Sequence, residues 1–206
     1  MAVDSTTREE VMNIFSRATC VDPKNYVAWH EWGLSNYRAI EESKRQSSSS
    51  MRNITIILGL AKTGQNKNNF QRHKLLAVLV PNAVKGLLRA ISLGTRRWSS
   101  SVAQDMLCIL TLWFRYAGKL DSVYTLLEEG LLRSDSVHLD NWMGVLPQLI
   151  ARIDHPDQKV RDLLHSLLVR LGKKHAQALV FPLSVVLKVY ASKQNTIIKI
   201  YECCVY

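Results

Sequence analysis

A chain of 206 residues and 23.4 kDa has room for one or two hydrophobic cores, or for a short array of repeats. Apolar residues make up 47%, which excludes disorder throughout, and nine glycines with five prolines are too little punctuation for a many-turned β sandwich. The net charge of +10 suits nucleic acid, acidic membranes or acidic protein surfaces, or else a piece of a larger protein balanced elsewhere.

The first ten residues, MAVDSTTREE, read as neither a signal nor a transit peptide. Glu9–Ala18 predicts a short helix with Val11, Ile14 and Phe15 on one face. Asp22-Pro23 then offers a cap and a first-turn proline for a helix over about Lys24–Lys44. Its Tyr26, Trp29, Trp32, Tyr37 and Ile40 recur at amphipathic spacing. DPKNYVAWHEWGLSNY (22–37) also has the pattern that opens a tetratricopeptide-type repeat, with its last Tyr one place late. From Gln46 to Arg72, four consecutive serines and a Gln/Asn/Lys mix break the period and predict a loop, with ITIILGLA (54–61) as a short strand or helical turn inside it.

The helical stripe resumes over Leu75–Leu93 through Val80, Val84, Leu87, Leu88 and Ile91, and Gly94 is the expected left-handed stop. Ser99–Ser101 offer caps for a helix carrying Val102, Met106, Ile109, Leu110, Trp113 and Phe114, which Gly118 ends. Asp121 is expected to cap a helix bearing Val123, Leu126, Leu127 and Leu131. Asp140 opens the next, with Trp142, Val145, Leu146, Leu149, Ile150 and Ile153. After the polar hinge Asp154-His155-Pro156-Asp157 come Val160, Leu163, Leu164, Leu167, Leu168 and Leu171, closed by Gly172 and two lysines. A last helix is predicted over about Gln177–Val189.

An apolar pair followed by proline occurs three times, ending at Pro81, Pro147 and Pro182. The last two prolines lie 35 residues apart (182 − 147) and the first two 66 apart (147 − 81), close to two such periods. Two helices and a turn repeating at that length are the mark of an α-solenoid, so the fold class expected is all-α, built of antiparallel helix pairs. Proline inside a helix removes a backbone hydrogen bond, and the expectation is a bent first helix curving around its neighbour. Pro156, with Asp154 and Asp157, stops one helix and caps the next, and Arg161 stands one turn on, in reach of Asp154 or of the next repeat.

No residues in the chain form a catalytic constellation. His155, His165 and His175 fall ten apart, which points each in a different direction on a helix, and HExxH is absent. GxSxG, Walker and kinase signatures are missing too. The four cysteines contain no CxxC, which argues against a zinc site or a disulfide framework and fits a reducing compartment. No metal or other cofactor is expected. The basic residues come as scattered pairs rather than a stripe, which speaks against nucleic acid, and the longest apolar run, Met106–Phe114, is far short of a membrane span. Tryptophans at helical spacing belong in a core. Trp98 beside Arg96 and Arg97 is the candidate interaction residue.

Six segments together resemble the FAT region of phosphatidylinositol-3-kinase-related protein kinases, and most closely that of the target-of-rapamycin (TOR) type. They are AWHEWGLSNY (28–37), VPNAVKGLLRAISL (80–93), LCILTLWFRYAG (107–118), NWMGVLPQLIARIDHP (141–156), VRDLLHSLL (160–168) and HAQALVFPLSVVLK (175–188). The resemblance implies tetratricopeptide-like repeats passing into HEAT-like ones. It divides the chain into N-terminal helices over 1–45, a Ser/Asn-rich loop over 46–73, HEAT-like repeats over 74–192 and a divergent tail over 193–206. It makes Trp29, Trp32, Trp142, Pro147, Asp154, Pro156, Arg161 and Pro182 the structural signature. It further implies a non-catalytic scaffold in the cytoplasm, whose partners are the kinase domain and other repeats of a parent kinase and the subunits of a TOR complex. The alternative is a free-standing basic α-solenoid that binds nucleic acid or an acidic protein surface.

Overall fold

The computed structural model describes the backbone of residues 5–57, 65–94, 99–133 and 137–189, and side-chain environments over 10–45, 72–94, 100–133 and 137–185. Every regular element among them is a helix, and the chain divides into two compact units, Met1–Trp98 and Ser99–Tyr206. The all-α class of packed helix pairs is therefore the one that the periodicity predicts. The division after Trp98 falls inside the block of repeats expected over 74–192.

Unit 1 holds α1 (Ser5–Val21), α2 (Tyr26–Ile57) and α3 (Gln65–Leu93). The serine-rich stretch expected as loop continues α2 to Ile57 and resumes as α3 at Gln65. The physical reason is the absence of any breaker: no Gly or Pro stands between Gly33 and Gly59, and serine costs a helix only about half a kcal/mol per residue. The cap of α2 also differs from expectation. Asn25 Oδ1 accepts from the Ala28 N–H at 3.1 Å, while Asp22 shapes the preceding turn by accepting from the Lys24 N–H at 3.1 Å.

The start of α2 meets the end of α3, so the two run antiparallel. Trp29 Nε1–H donates to the Pro23 carbonyl at 3.0 Å, and Arg89 Nη2 reaches the same oxygen at 3.5 Å. Between them the helices cross at two glycines. A Cβ on Gly86 would lie 2.8 Å from Gly33 Cα, and one on Gly33 would lie 2.9 Å from the Leu87 amide nitrogen. Leu34 and Ile40 of α2 and Val80, Val84, Leu87 and Ile91 of α3 are buried, each contributing about 1.5–3 kcal/mol over an exposed position. Arg72–Leu93 is the one stretch among the described residues long and apolar enough to cross a membrane, and half of it is buried inside the unit. Its apolar side is core. On α1 the expected stripe is covered only in part: Ile14 is 63% exposed and Val11 is also exposed, while Phe15 is half-buried. Gly94 follows α3 with its N–H on the Ile91 carbonyl at 3.2 Å and without the left-handed backbone expected of a stop.

Unit 2 holds α4 (Ser99–Tyr116), α5 (Asp121–Glu128), a π-helical turn (Glu129–Arg133), a 3₁₀ helix (Leu139–Val145), α6 (Leu146–Ile150), α7 (Gln158–Lys174) and α8 (Ala176–Val189). The α4 and α7 stripes are buried as their spacing predicts, with Ile109, Trp113, Leu164, Leu167, Leu168 and Leu171 inaccessible. Asp121 is the first residue of α5 rather than its cap, a position held by Leu120 with no side-chain bond. Gly172 lies buried inside α7, and His175 caps that helix instead.

The three proline triplets are not equivalent. Pro81 and Pro182 stand inside α3 and α8, whereas Pro147 occupies the first turn of α6. The helix expected to open at Asp140 begins as 3₁₀ after His138 and breaks at Val145, where φ is −116° and ψ is 10°. In one continuous α-helix the Pro147 ring would strike the Met143 carbonyl. Restarting the helix puts the missing N–H where no intrahelical partner exists.

Candidate interaction surface

The hinge between α6 and α7 is where the signature residues gather. After Ile150 the chain winds through tight turns, with Arg152 N–H on the Leu149 carbonyl at 3.0 Å and His155 N–H on the Arg152 carbonyl at 3.0 Å. Asp157 then caps α7, its Oδ1 accepting from the Val160 N–H at 3.2 Å. The other face of that carboxylate rests on the α4–α5 corner, where a Cβ on Gly118 would collide with Asp157 Oδ2. Gly118 is thus required for close approach rather than for a turn.

Aromatic rings tie the hinge to the core. Trp142 meets Trp113 edge-on at 6.4 Å, Trp113 stacks on Phe114 at 5.4 Å, and Phe114 stacks on His155 at 6.0 Å. The Arg152 guanidinium sits 5.9 Å from the centre of the Phe114 ring. Arg161 Nη1 donates to the His155 carbonyl at 2.6 Å and also bonds Gln158. Arg161 therefore braces the hinge backbone.

The three evenly spaced histidines find three separate partners. His155 Nε2 lies 3.1 Å from the Phe114 carbonyl, His165 Nε2 lies 2.9 Å from the Ile153 carbonyl, and His175 Nε2 lies 2.7 Å from Asp140 Oδ1. Burial pushes the His165 imidazole below its ordinary range. Lys174 Nζ joins Asp140 at 2.8 Å and Lys159 Nζ joins Asp121 at 2.7 Å. These hydrogen bonds lower both carboxyls from their usual range, with Lys174 as the main cause at Asp140 and His175 adding to it. No group of three His, Cys, Asp or Glu side chains converges on a common point among the described residues.

Beside the hinge runs a mostly apolar groove of about 630 Å³, walled by Pro147, Ile150, Asp154, Pro156, Phe181 and Pro182. Phe181 is 75% exposed on α8, and Val185, one turn on, is 45% exposed, while Leu179 and Leu183 of the same helix are inaccessible. The structure so brings together Pro147, Asp154, Pro156 and Pro182, with Arg161 bracing them and Trp142 in the core. Trp29 and Trp32 belong to unit 1, packed edge to face at 5.7 Å. Arg96, Arg97 and Trp98 lie outside the described residues. Sequence reasoning missed Gly86, the pairing of Phe114 with His155, and Phe181. The last was visible as the middle residue of the third proline triplet; the others act through neighbours distant in sequence.

The FAT domain family matches residues 2–111. The chain is 36% identical over 197 residues to the serine/threonine-protein kinase mTor of Drosophila melanogaster, an alignment covering 93% of this chain and 7% of that protein. It is 33% identical over 207 residues to the serine/threonine-protein kinase TOR2 of Saccharomyces cerevisiae, covering 94% and 8%. To the serine/threonine-protein kinase TOR of Arabidopsis thaliana it is 32% identical over 181 residues, covering 87% and 6%. It thus spans less than a tenth of the length of each.

Proposed function

The chain belongs to the FAT domain family, as a FAT segment of a TOR protein, and we propose on that basis that it works as a scaffold: it packs around the kinase domain of a TOR-type serine/threonine kinase and contacts the subunits of that kinase's complex. The observation that carries this reading is the match to three TOR kinases along about nine-tenths of the chain. The described side chains support it. Their conspicuous constellations are seams and caps: leucines, stacked rings, close-set glycines and a capping aspartate. The exposed Phe181 and Val185 and the groove beside them offer apolar surface for contact within a larger protein. A cytoplasmic location is part of the same proposal, supported by four cysteines that hold no CxxC pair.

Steady-state kinetics of an intact TOR-type kinase carrying this segment test it. With Gly86→Leu, which forces α2 from α3, assembled complex and total activity should fall together while the KM for ATP stays unchanged. A changed KM for ATP with assembly undiminished would place this segment in the chemistry and overturn the reading.

The net charge of +10 favours a second reading, a basic solenoid that binds nucleic acid. Several of its cations are engaged within the fold, among them Lys159, Lys174, Arg161 and Arg170. Duplex binding whose log K falls with log salt by several units would support this reading, and a flat, weak response would remove it.

A further inference from the structure

We propose that the hinge between α6 and α7 is a proton-sensitive latch, closed by the neutral ring of His155. The argument starts from which ring nitrogen can do what. The Asp157 backbone N–H donates to His155 Nδ1 at 3.2 Å, and an amide N–H has no lone pair to accept with. Nδ1 must therefore be the bare nitrogen, and the single proton of the neutral ring sits on Nε2. There it donates to the Phe114 carbonyl at 3.1 Å. One imidazole so ties the end of α4 to the first turn of α7, while its face stacks on the Phe114 ring.

A second proton has one place to go, Nδ1, and there it sets N–H against N–H. The Asp157 amide must then withdraw. Asp157 also caps α7 through Val160 and abuts Gly118, so its displacement reaches the start of α7 and the corner after α4. It also reaches the groove wall, since Asp154, His155 and Pro156 line it.

The charged groups around the ring come in both signs. Arg152 lies over the neighbouring Phe114 ring and Arg161 binds the His155 carbonyl. Asp154 and Asp157 flank the ring in sequence. From the α4 end, Arg115 and Lys119 are exposed, and across the hinge His165 holds the Ile153 carbonyl. The latch is closed while the ring is neutral and opens when Nδ1 takes up the second proton.

Nitrogen-15 NMR of the full 206-residue chain tests this. At pH 7.5, His155 should show the tautomer with its proton on Nε2. On acidification to pH 5.5, the protection factor of the Asp157 amide should drop about fivefold, the equivalent of one ordinary hydrogen bond. His165→Phe should keep that response, and His155→Phe, which retains the ring stack, should show the low protection at both pH values. A proton on Nδ1 at neutral pH would overturn the proposal. So would unchanged Asp157 protection while the His155 resonances report a doubly protonated ring. Should His155→Phe fail to fold, the tautomer and the titration of the unmodified chain decide by themselves.

Discussion

In unit 1, α2 and α3 meet where neither helix has a side chain; in unit 2, the end of α4 meets the α6–α7 hinge through a ring, a carboxylate and a guanidinium. The Gly33–Gly86 crossing brings backbone within 3 Å of where a Cβ would stand, so dispersion and excluded water do the work. Such a contact has no titrating group and little tolerance for added volume. The hinge spends its contacts on Asp157, His155 and Arg161, whose geometry can give by tenths of an ångström but whose charge state cannot change freely. One family segment therefore holds two kinds of joint, one sensitive to size and the other to protons.

The largest expected effect lies behind both joints, in the α7 seam. Leu164→Ala or Leu167→Ala should cost about 2–5 kcal/mol in urea denaturation, since both side chains are inaccessible. A loss under about 0.5 kcal/mol would show that the seam is not the core. The size-sensitive joint comes next. Gly86→Ala should cost about 1–3 kcal/mol, because the added methyl meets backbone that cannot swing aside. If thermal melts show no loss, the helices are farther apart than described.

At the proton-sensitive joint, Asp157→Ala removes the α7 cap and should cost about 1 kcal/mol, readable from the same denaturation curves. The pH response of its neighbour follows from burial. His165 is held below the ordinary imidazole value of 6.5, so the unfolded chain takes up its proton first as pH falls. Its contribution is present in full above about pH 6.5 and is lost as pH drops through the lower folded value. Urea melts from pH 7.5 to 5 should show that loss, and His165→Gln should make it smaller; unit 1, examined through its own tryptophans, should not share it. The smallest effect is expected at Lys173→Ala on exposed α7 surface, within about 0.5 kcal/mol of no change.

These joints also differ in how much of each is legible in the amino-acid sequence. The α7 leucines announce themselves because a helical stripe is periodic within one short window. The Asp157 cap likewise needs only its three-residue reach to Val160. Gly33 and Gly86 stand 53 residues apart (86 − 33), and a glycine in either helix by itself suggests a weak point rather than a crossing. His155 was legible as a hinge residue, but its partner carbonyl at Phe114 belongs to a helix 41 residues earlier. The serine run misled because composition signals a loop, whereas the backbone needs a breaker to leave the helix and Gln46–Ile57 contains none. Pro147 misled in the opposite sense: a stripe that fits one helix was divided between a 3₁₀ helix and α6 so that the proline stands at a helix start.

Hydrogen–deuterium exchange on the intact 206-residue chain tests most directly whether paired helices bury their apolar seams against each other. The account predicts that amides of Leu163–Leu171 and of Val80–Ile91 exchange slowest, releasing only when their own unit unfolds. Rapid exchange along both stretches, at the rate of an unstructured chain, would contradict it.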